Sequence, residues 1–370
     1  MPRLTMVRSR PRPRGRGDRG GAAVLVSVLL AGGVLLGMTA LVVDVGSLYA
    51  EREELLSGAD AAAFAIALDC ALDRADCGDA DDTADEYAGR NARDGVSDAT
   101  VCGNHPVLDA CTSGPGGGLI DCLGERPTDG TAYVEVRTTT RLPDGSTLLP
   151  PSFAQTLVPG YQGATVGACS RVAWGAPGDG LAVTISTCEF AKATEAGEDL
   201  AEPPPPDPDP SYERVIKLHT TDPECEAPVP GFDGPGGFGW LEGEDCQVEI
   251  VEDENGDFWY STDTGSDVPQ DCRAVLPGLQ ANKTVVKVPV FDAVRGTGNN
   301  LEYRLHAIAS FVVTGYHAPG LRASSNLFNS TITECSGSDF CIYGYFTTSV
   351  DSGEVGPLPG FGAMVVKTIG

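Results

Sequence analysis

The chain has 370 residues, of which 41% are hydrophobic, 47 are glycine and 27 are proline. At about 150 residues per domain this length accommodates two or three compact units, and the composition excludes collagen-like and wholly disordered chains. The 52 acidic and 25 basic residues give a net charge of −27, which excludes nucleic acid as a partner because phosphate groups require Lys and Arg.

The amino-terminal region has the pattern of a membrane anchor. Residues 1–20 form a basic head with seven arginines, and residues 21–43 contain no charged residue. As a helix, these 23 residues would measure about 34 Å, enough to cross a hydrocarbon core of about 30 Å. A cleaved signal peptide is the main alternative, but a charged helical run follows Asp44 where a small-residue cleavage site should stand. We therefore predict a single transmembrane helix, an uncleaved signal anchor, over 21–43.

Two features predict the orientation of this anchor in the lipid bilayer. The arginine-rich side of a membrane segment stays in the cytoplasm, so the body after Asp44 should be extracytoplasmic. The cysteines are even in number and all follow the apolar segment, as expected for a disulfide framework in an oxidising compartment. These disulfide candidates, whose connectivity the sequence leaves open, are Cys70, Cys77, Cys102, Cys111, Cys122, Cys169, Cys188, Cys225, Cys246, Cys272, Cys335 and Cys341.

After the anchor, residues 44–93 are predicted to form a helical stalk. Apolar residues recur at alternating spacings of three and four, a heptad seam interrupted only by Arg52. Cys70 and Cys77 lie too far apart to be bridged within one straight helix, but a turn near Gly78 would allow them to meet. The seam consists of Val45, Leu48, Leu55, Ala59, Ala62 and Ile66.

The exported body divides into two predicted parts. Residues 94–178 read as a cysteine-rich small α/β unit, and residues 179–210 as a connecting strand followed by a proline-rich linker. Residues 211–370 are predicted to be a mostly β, disulfide-stapled domain in which Asn255-Gly256 joins two strands as a hairpin. The fold class expected for the whole chain is α+β.

No sequence motif is specific enough to predict a catalytic or cofactor-binding site. The chain lacks a nucleophile elbow, a phosphate-binding loop and C-x-x-C spacing, and its four histidines are scattered. The glycine-rich run at 234–239 is not flanked by a strand and a helix, and an acidic run at 253–257 lacks the glutamate of a calcium loop. We therefore expect no cofactor, no metal and no catalytic residue.

Gly33 and Gly37 form a small-x-x-x-small motif within the apolar segment. Such spacing lets a second helix approach closely, although it is common by chance in glycine-rich spans. Together with the adjoining seam, it predicts helix-mediated assembly, including homo-oligomers, with simple anchoring as the alternative.

The amino-acid sequence of residues 19–67 resembles the amino-terminal region of the TadE/TadG-like proteins of Flp (Tad) pilus assembly. The matching pieces are the Val-Asp-Val-Gly run that starts at Val43, then Tyr49, Leu55 and the Ala-Asp-Ala-Ala-Ala run that starts at Ala59. The resemblance implies a membrane-anchored, non-catalytic component of a Tad pilus or related secretion apparatus, whose long helix engages other pilus or assembly proteins. A cell-surface hydrolase acting on wall polymer through paired carboxylates, or an adhesin, remains an alternative.

Overall fold

The computed structural model describes residues 19–72, 75–112, 122–128, 130–201, 209–218, 225, 237–262, 268–296, 300–327, 332–333 and 335–370. The first 18 residues, the glycine-rich run near 115 and the tetraproline run at 203–206 therefore lie outside the described part of the chain. Predictions for the basic head and for the proline-rich linker are left as predictions.

The apolar segment is helical, but it is not one helix. Helix α1 spans Arg19–Ala31 and helix α2 spans Val34–Ala71, and Gly33 between them has a φ of 71°. Two successive glycines have low helix propensity, and glycine adopts this left-handed conformation without a steric penalty. The continuous helix predicted over 21–43 is therefore corrected to two helices with a break at Gly32–Gly33. Of the helices in the described residues, none combines the length and the apolar character needed to cross a membrane.

Helix α2 continues far beyond the apolar segment and turns back through a short 3₁₀ segment, Ala75–Asp79, into helix α3, Ala80–Asn91. The helices predicted for residues 44–93 are thus present. They do not form a free stalk, because α2 packs from Leu55 onward against a β-sheet and α3. Small residues permit this close packing: Ala59, Ala62 and Ala63 are fully buried.

The first sheet has five strands, in the spatial order β1-β2-β3-β16-β14. All neighbours are antiparallel except β14 and β16, which are parallel. Two of its strands come from the carboxyl-terminal end of the chain, so this sheet draws on both of the predicted parts of the body. The strands are Ser97–Gly103 (β1), Ala132–Thr140 (β2), Gly167–Gly175 (β3), Ser349–Ser352 (β14) and Ala363–Thr368 (β16).

The second sheet confirms the mostly β character expected after residue 211. Its main path is β6-β13-β11-β10-β5-β7, with three further strands paired to β11, and a separate two-stranded sheet pairs β4 with β8. Large aromatic side chains such as Tyr303, Phe291 and Phe311 fill its core. The strands are Asp179–Leu181 (β4), Val183–Ser186 (β5), Arg214–Lys217 (β6), Phe238–Trp240 (β7), Gln247–Glu249 (β8), Trp259–Ser261 (β9), Val285–Arg295 (β10), Glu302–Ala318 (β11), Leu321–Ala323 (β12), Cys341–Thr347 (β13) and Gly360–Phe361 (β15).

Three further α-helices belong to the described fold: α4, Ala154–Leu157; α5, Thr187–Thr194; and α6, Gln270–Asn282. Helix α6 was missed because Pro277 and Gly278, which disfavour helix, both stand inside it. Its buried Cys272 and Leu276 hold it on the second sheet.

The hairpin predicted at Asn255-Gly256 is wrong in its pairing. A tight turn does form there, in which the Asp253 carboxylate accepts hydrogen bonds from the backbone N–H groups of Asn255 and Asp257. The flanking strands separate, however, because β8 pairs with β4 and β9 pairs with β11. Turn chemistry is local, whereas the partner of a strand is decided by the rest of the sheet.

All twelve cysteines are paired in six disulfides, which confirms the predicted framework. The Cys70–Cys77 bond joins the end of α2 to the turn before α3, as the spacing suggested. The other five bonds are Cys102–Cys111, Cys122–Cys169, Cys188–Cys225, Cys246–Cys272 and Cys335–Cys341.

Candidate functional site

The residues predicted for helix packing divide into two groups in the structure. Gly33 lies in the break between α1 and α2, and Gly37 lies in the first turn of α2, where its N–H donates to the Gly33 carbonyl at 2.7 Å. Val45 is 40% exposed and Leu48 is half-buried. The remaining seam residues are buried inside the protein's own fold: Leu55, Ala59, Ala62 and Ile66.

The amino-terminal half of this helical region therefore presents an unpartnered apolar surface. Its large side chains are exposed, several of them by more than 60%, although apolar side chains of this size are normally buried. We call this set the apolar helical surface; it comprises Val24, Leu25, Val26, Val28, Leu30, Val34, Met38, Leu41, Val42 and Val43.

Asp44 ends the apolar helical surface and is itself 7% exposed. Its Oδ1 accepts hydrogen bonds from the backbone N–H groups of Ser152, at 2.7 Å, and Phe153, at 3.1 Å. Its Oδ2 accepts from Phe153, at 3.1 Å, and from Ala154, the first residue of α4. The carboxylate thus caps α4 from a distant helix, supplying the acceptor that helix amino termini need. Asp44 fastens α2 to the segment that joins β2 to β3.

Further contacts hold α2 along the β2–β3 pair. The hydroxyl of Thr138 on β2 donates to the carbonyl of Leu55 at 2.8 Å, more than two helical turns beyond Asp44. Glu51 lies between these two contacts; burial raises the pKa of its carboxyl group, and a hydrogen bond with Thr140 partly offsets that effect. Helix α2 is therefore fixed to the body at several points.

The body contains a buried charge cluster centred on Glu135 of β2, whose side chain is fully buried. Three guanidinium groups contact its carboxylate: Arg126 at 3.1 Å, Arg137 at 2.6 Å and Arg171 at 2.8 Å. Burial by itself would raise the pKa of Glu135, but the hydrogen bonds from the three arginines outweigh it and lower the pKa to about 2. The cluster joins β2, β3 and the segment before β2. Its contacts therefore hold these parts of the fold together.

A crevice of about 760 Å³ lies between the two sheets, where Trp174 and Gly175 at the end of β3 face the 355–360 loop. Glu252 is the one carboxylate among the described residues that line it. Within the described part of the chain, each place where His, Cys or acidic side chains converge in a group of three includes both cysteines of a disulfide. Those sulfur atoms are already bonded.

The role of Asp44 was not predicted from the sequence, which showed it only as an interruption of the apolar pattern. The available signal was a lone carboxylate next to an uncharged run, since such a group needs a partner when it is buried. Its partner, the backbone at 152–154, is more than one hundred residues away in the chain.

Comparison with known proteins gives one match. Residues 20–67 match the family model described as "Putative Flp pilus-assembly TadE/G-like". The matched segment includes both glycines of the break, the apolar helical surface from Val24 onward, Asp44 and the buried part of the seam. No curated protein and no solved structure matches the chain.

Proposed function

We propose that this protein is a membrane-anchored, non-catalytic component of a Tad/Flp-type pilus-assembly or related secretion apparatus, with an exported interaction domain. The observation that carries the proposal is the position of the family match. It coincides with a helical region whose first part presents apolar side chains outward and whose second part is built into the folded body.

Three observations support the membrane anchor. Residues 21–43 carry no charge, seven arginines precede them, and the side chains of the apolar helical surface are 41–70% exposed. Lipid would cover this surface, and the arginines would keep the amino terminus in the cytoplasm. The six disulfides fit a body on the extracytoplasmic side, because thiols are kept reduced in the cytosol.

The exposed part of the seam supports association with other membrane proteins of the apparatus. Val45 and Leu48 lie outside the core, next to the apolar helical surface, and Gly37 offers a small contact point within it. Small residues allow close approach of a second helix in a bilayer. A second copy of this chain or another pilus protein would therefore contact this region.

The lining of the crevice bears on the alternative of a wall hydrolase. Hydrolysis of a wall polysaccharide uses two carboxyl groups about 5–10 Å apart across the bond to be broken. Among the described residues, the crevice supplies one carboxylate, Glu252. The carboxylate of Glu135 is buried and forms ion pairs with three arginines.

Photo-crosslinking in living cells tests the proposal. A benzophenone amino acid is placed at Leu41, which is 62% exposed on α2, and a matched probe is placed at Val251, which is 54% exposed beside the crevice. We expect adducts with small pilus-type membrane proteins, or with a second copy, at Leu41 only. Carbonate extraction of the same membranes should leave the protein in the pellet. Release into the supernatant, or adducts at Val251 alone, would contradict the proposal.

A further inference from the structure

The segment that joins β2 to β3 is unusual for so acidic a chain. Its part from Gly145 to Val166 contains no Asp, Glu, Lys or Arg, although 21% of the whole chain is charged. Three of its large apolar side chains are nevertheless exposed: Leu148 by 41%, Phe153 by 48% and Val158 by 56%. An uncharged segment with several exposed apolar side chains is typical of a surface that contacts a partner or a membrane.

The position of this segment relative to the anchor is set by Asp44. The carboxylate of Asp44 binds the backbone of residues 152–154, and Asp44 directly follows Val43, the last residue of the uncharged run. Leu41 and Val42, which are 62% and 70% exposed, precede it on the same helix. Phe153 and the α4 turn that follows it are therefore held next to the place where the apolar helical surface ends.

We propose that residues 148–158 are a second, interfacial membrane contact. Leu148, Phe153 and Val158 insert into the boundary between headgroups and acyl chains of the leaflet in which the anchor ends. This inference rests on the proposed membrane anchoring and adds a lipid-binding surface to the body itself.

Lipid is the occupant that the observations favour. The patch continues an apolar surface already assigned to the bilayer, and a neutral segment avoids the repulsion that the acidic remainder of the chain would meet at anionic headgroups. Tyr49, 66% exposed and little more than one turn beyond Asp44, is a residue type enriched at membrane interfaces. Interfacial segments of this kind bury apolar side chains about 5–10 Å into the headgroup region.

A second membrane contact would fix the orientation of the body relative to the bilayer, which a single anchoring helix does not do. A single helix leaves the exported body free to pivot, whereas a helix together with a rigidly attached interfacial segment fixes its orientation. The β2–β3 pair would then extend away from the bilayer, with the crevice at the far end of strands about 30 Å long.

Depth-dependent fluorescence quenching tests the inference on the full-length protein in vesicles of phosphatidylcholine and phosphatidylglycerol. Because all twelve native cysteines are in disulfides, one introduced cysteine provides the single free thiol for an environment-sensitive dye. The test positions are Phe153→Cys and Val158→Cys. Leu30→Cys reports on the anchor, because Leu30 is 52% exposed and lies near the middle of the uncharged run. Val251→Cys is the matched control, because Val251 is 54% exposed and lies beside the crevice. A thiol count of one per chain verifies that each variant keeps its disulfides.

We expect lipids carrying a nitroxide near the headgroup to quench the dye at 153 and 158. Lipids carrying it deep in the acyl chain should quench the dye at 30, and neither lipid should quench the dye at 251. Quenching at 30 without quenching at 153 and 158 would overturn the interfacial contact and leave the anchor intact. Absence of quenching at 30 would overturn the proposed anchoring. Equal quenching at 158 and 251 would overturn the inference by showing that the surface contact is unspecific.

Discussion

At the scale of single residues, the structure separates carboxylates that look alike in the sequence. Asp44 and Asp60 both interrupt the apolar pattern of α2, yet Asp44 is buried against backbone N–H groups and Asp60 is exposed. Glu135 stands in an alternating strand pattern that does not mark it as special, yet it is the centre of a buried ionic cluster. The difference arises from partners that are distant in the chain.

Replacement of Asp44 by alanine should release α2 from the 148–158 segment. Because hydrogen bonds from at least three backbone N–H groups to a charged carboxylate are lost, we expect unfolding to become easier by about 2 kcal/mol. Chemical unfolding in detergent measures this loss, and hydrogen exchange should accelerate at residues 152–154. The matched control is Asp60→Ala on the same helix; an equal effect of the two substitutions would refute the role of Asp44.

Replacement of Glu135 by glutamine should destabilise the fold at neutral pH by about 3 kcal/mol, because three arginines lose their buried counter-charge. The folded-state pKa of Glu135 is about 2, against an ordinary value of 4.5, so its ionisation stabilises the fold above about pH 4.5. That contribution decreases as the pH falls from about 5 towards 2, and the difference between wild type and variant should shrink over the same interval.

Urea unfolding across this pH range gives the measurement for Glu135. Glu354→Gln serves as the control, since Glu354 is 78% exposed and pairs only at the surface with Lys367. The control should change stability by less than about 1 kcal/mol at any pH. A pH-independent difference for Glu135→Gln would contradict the assignment of the cluster.

At the scale of elements, one helix has two environments. The first part of α2 exposes apolar side chains, and the part after Leu55 contributes to the core beneath the first sheet. The heptad spacing is the same in both parts of the helix, because this spacing indicates only that one face is apolar. The partner of that face is a sheet and α3 in the second half, and in our proposal lipid and neighbouring proteins in the first.

Gly58 tests the tight packing of α2 on α3. A Cβ atom at this position would lie 3.0 Å from the Cα of Ala88 and 3.6 Å from the Cβ of Asn91. Gly58→Leu should therefore force the helices apart and lower stability by about 1–3 kcal/mol. Gly46→Ala is the matched control on the same helix, where a Cβ meets no atom within 4 Å. Thermal unfolding should show a lower midpoint for the first variant and an unchanged or higher one for the second.

At the scale of the whole molecule, the two ends of the chain meet in one sheet. Strand β16, near the carboxyl end, pairs with β3, and helix α2, near the amino end, packs across the same sheet. The body is thus tied to the amino-terminal helical region through the sheet as well as through the covalent chain. Of the six disulfides, three join cysteines 6 to 9 residues apart and three join cysteines 26 to 47 residues apart.

The disulfides give the prediction at this scale. Protein purified without reductant should run faster on a denaturing gel than the same protein after reduction, because the cross-links keep the denatured chain compact. Native protein should carry no thiol reactive with iodoacetamide, and reduced protein should carry twelve. Identical migration of the two forms, or labelling before reduction, would be incompatible with the disulfide framework.

Composition and local pattern were enough to predict several features of this protein. They include the uncharged run at 21–43, the helices of 44–93, the cysteine framework and the resemblance over residues 19–67. Where those elements pack depends on contacts between distant parts of the chain. Gly33 breaks the apolar helix, and β8 and β9 pair with different strands. Asp44 accepts hydrogen bonds from backbone N–H groups more than one hundred residues away in the chain. Periodicity indicates that one face of an element is apolar, and turn residues indicate a tight turn. The surface that covers an apolar face depends on contacts made by the whole chain.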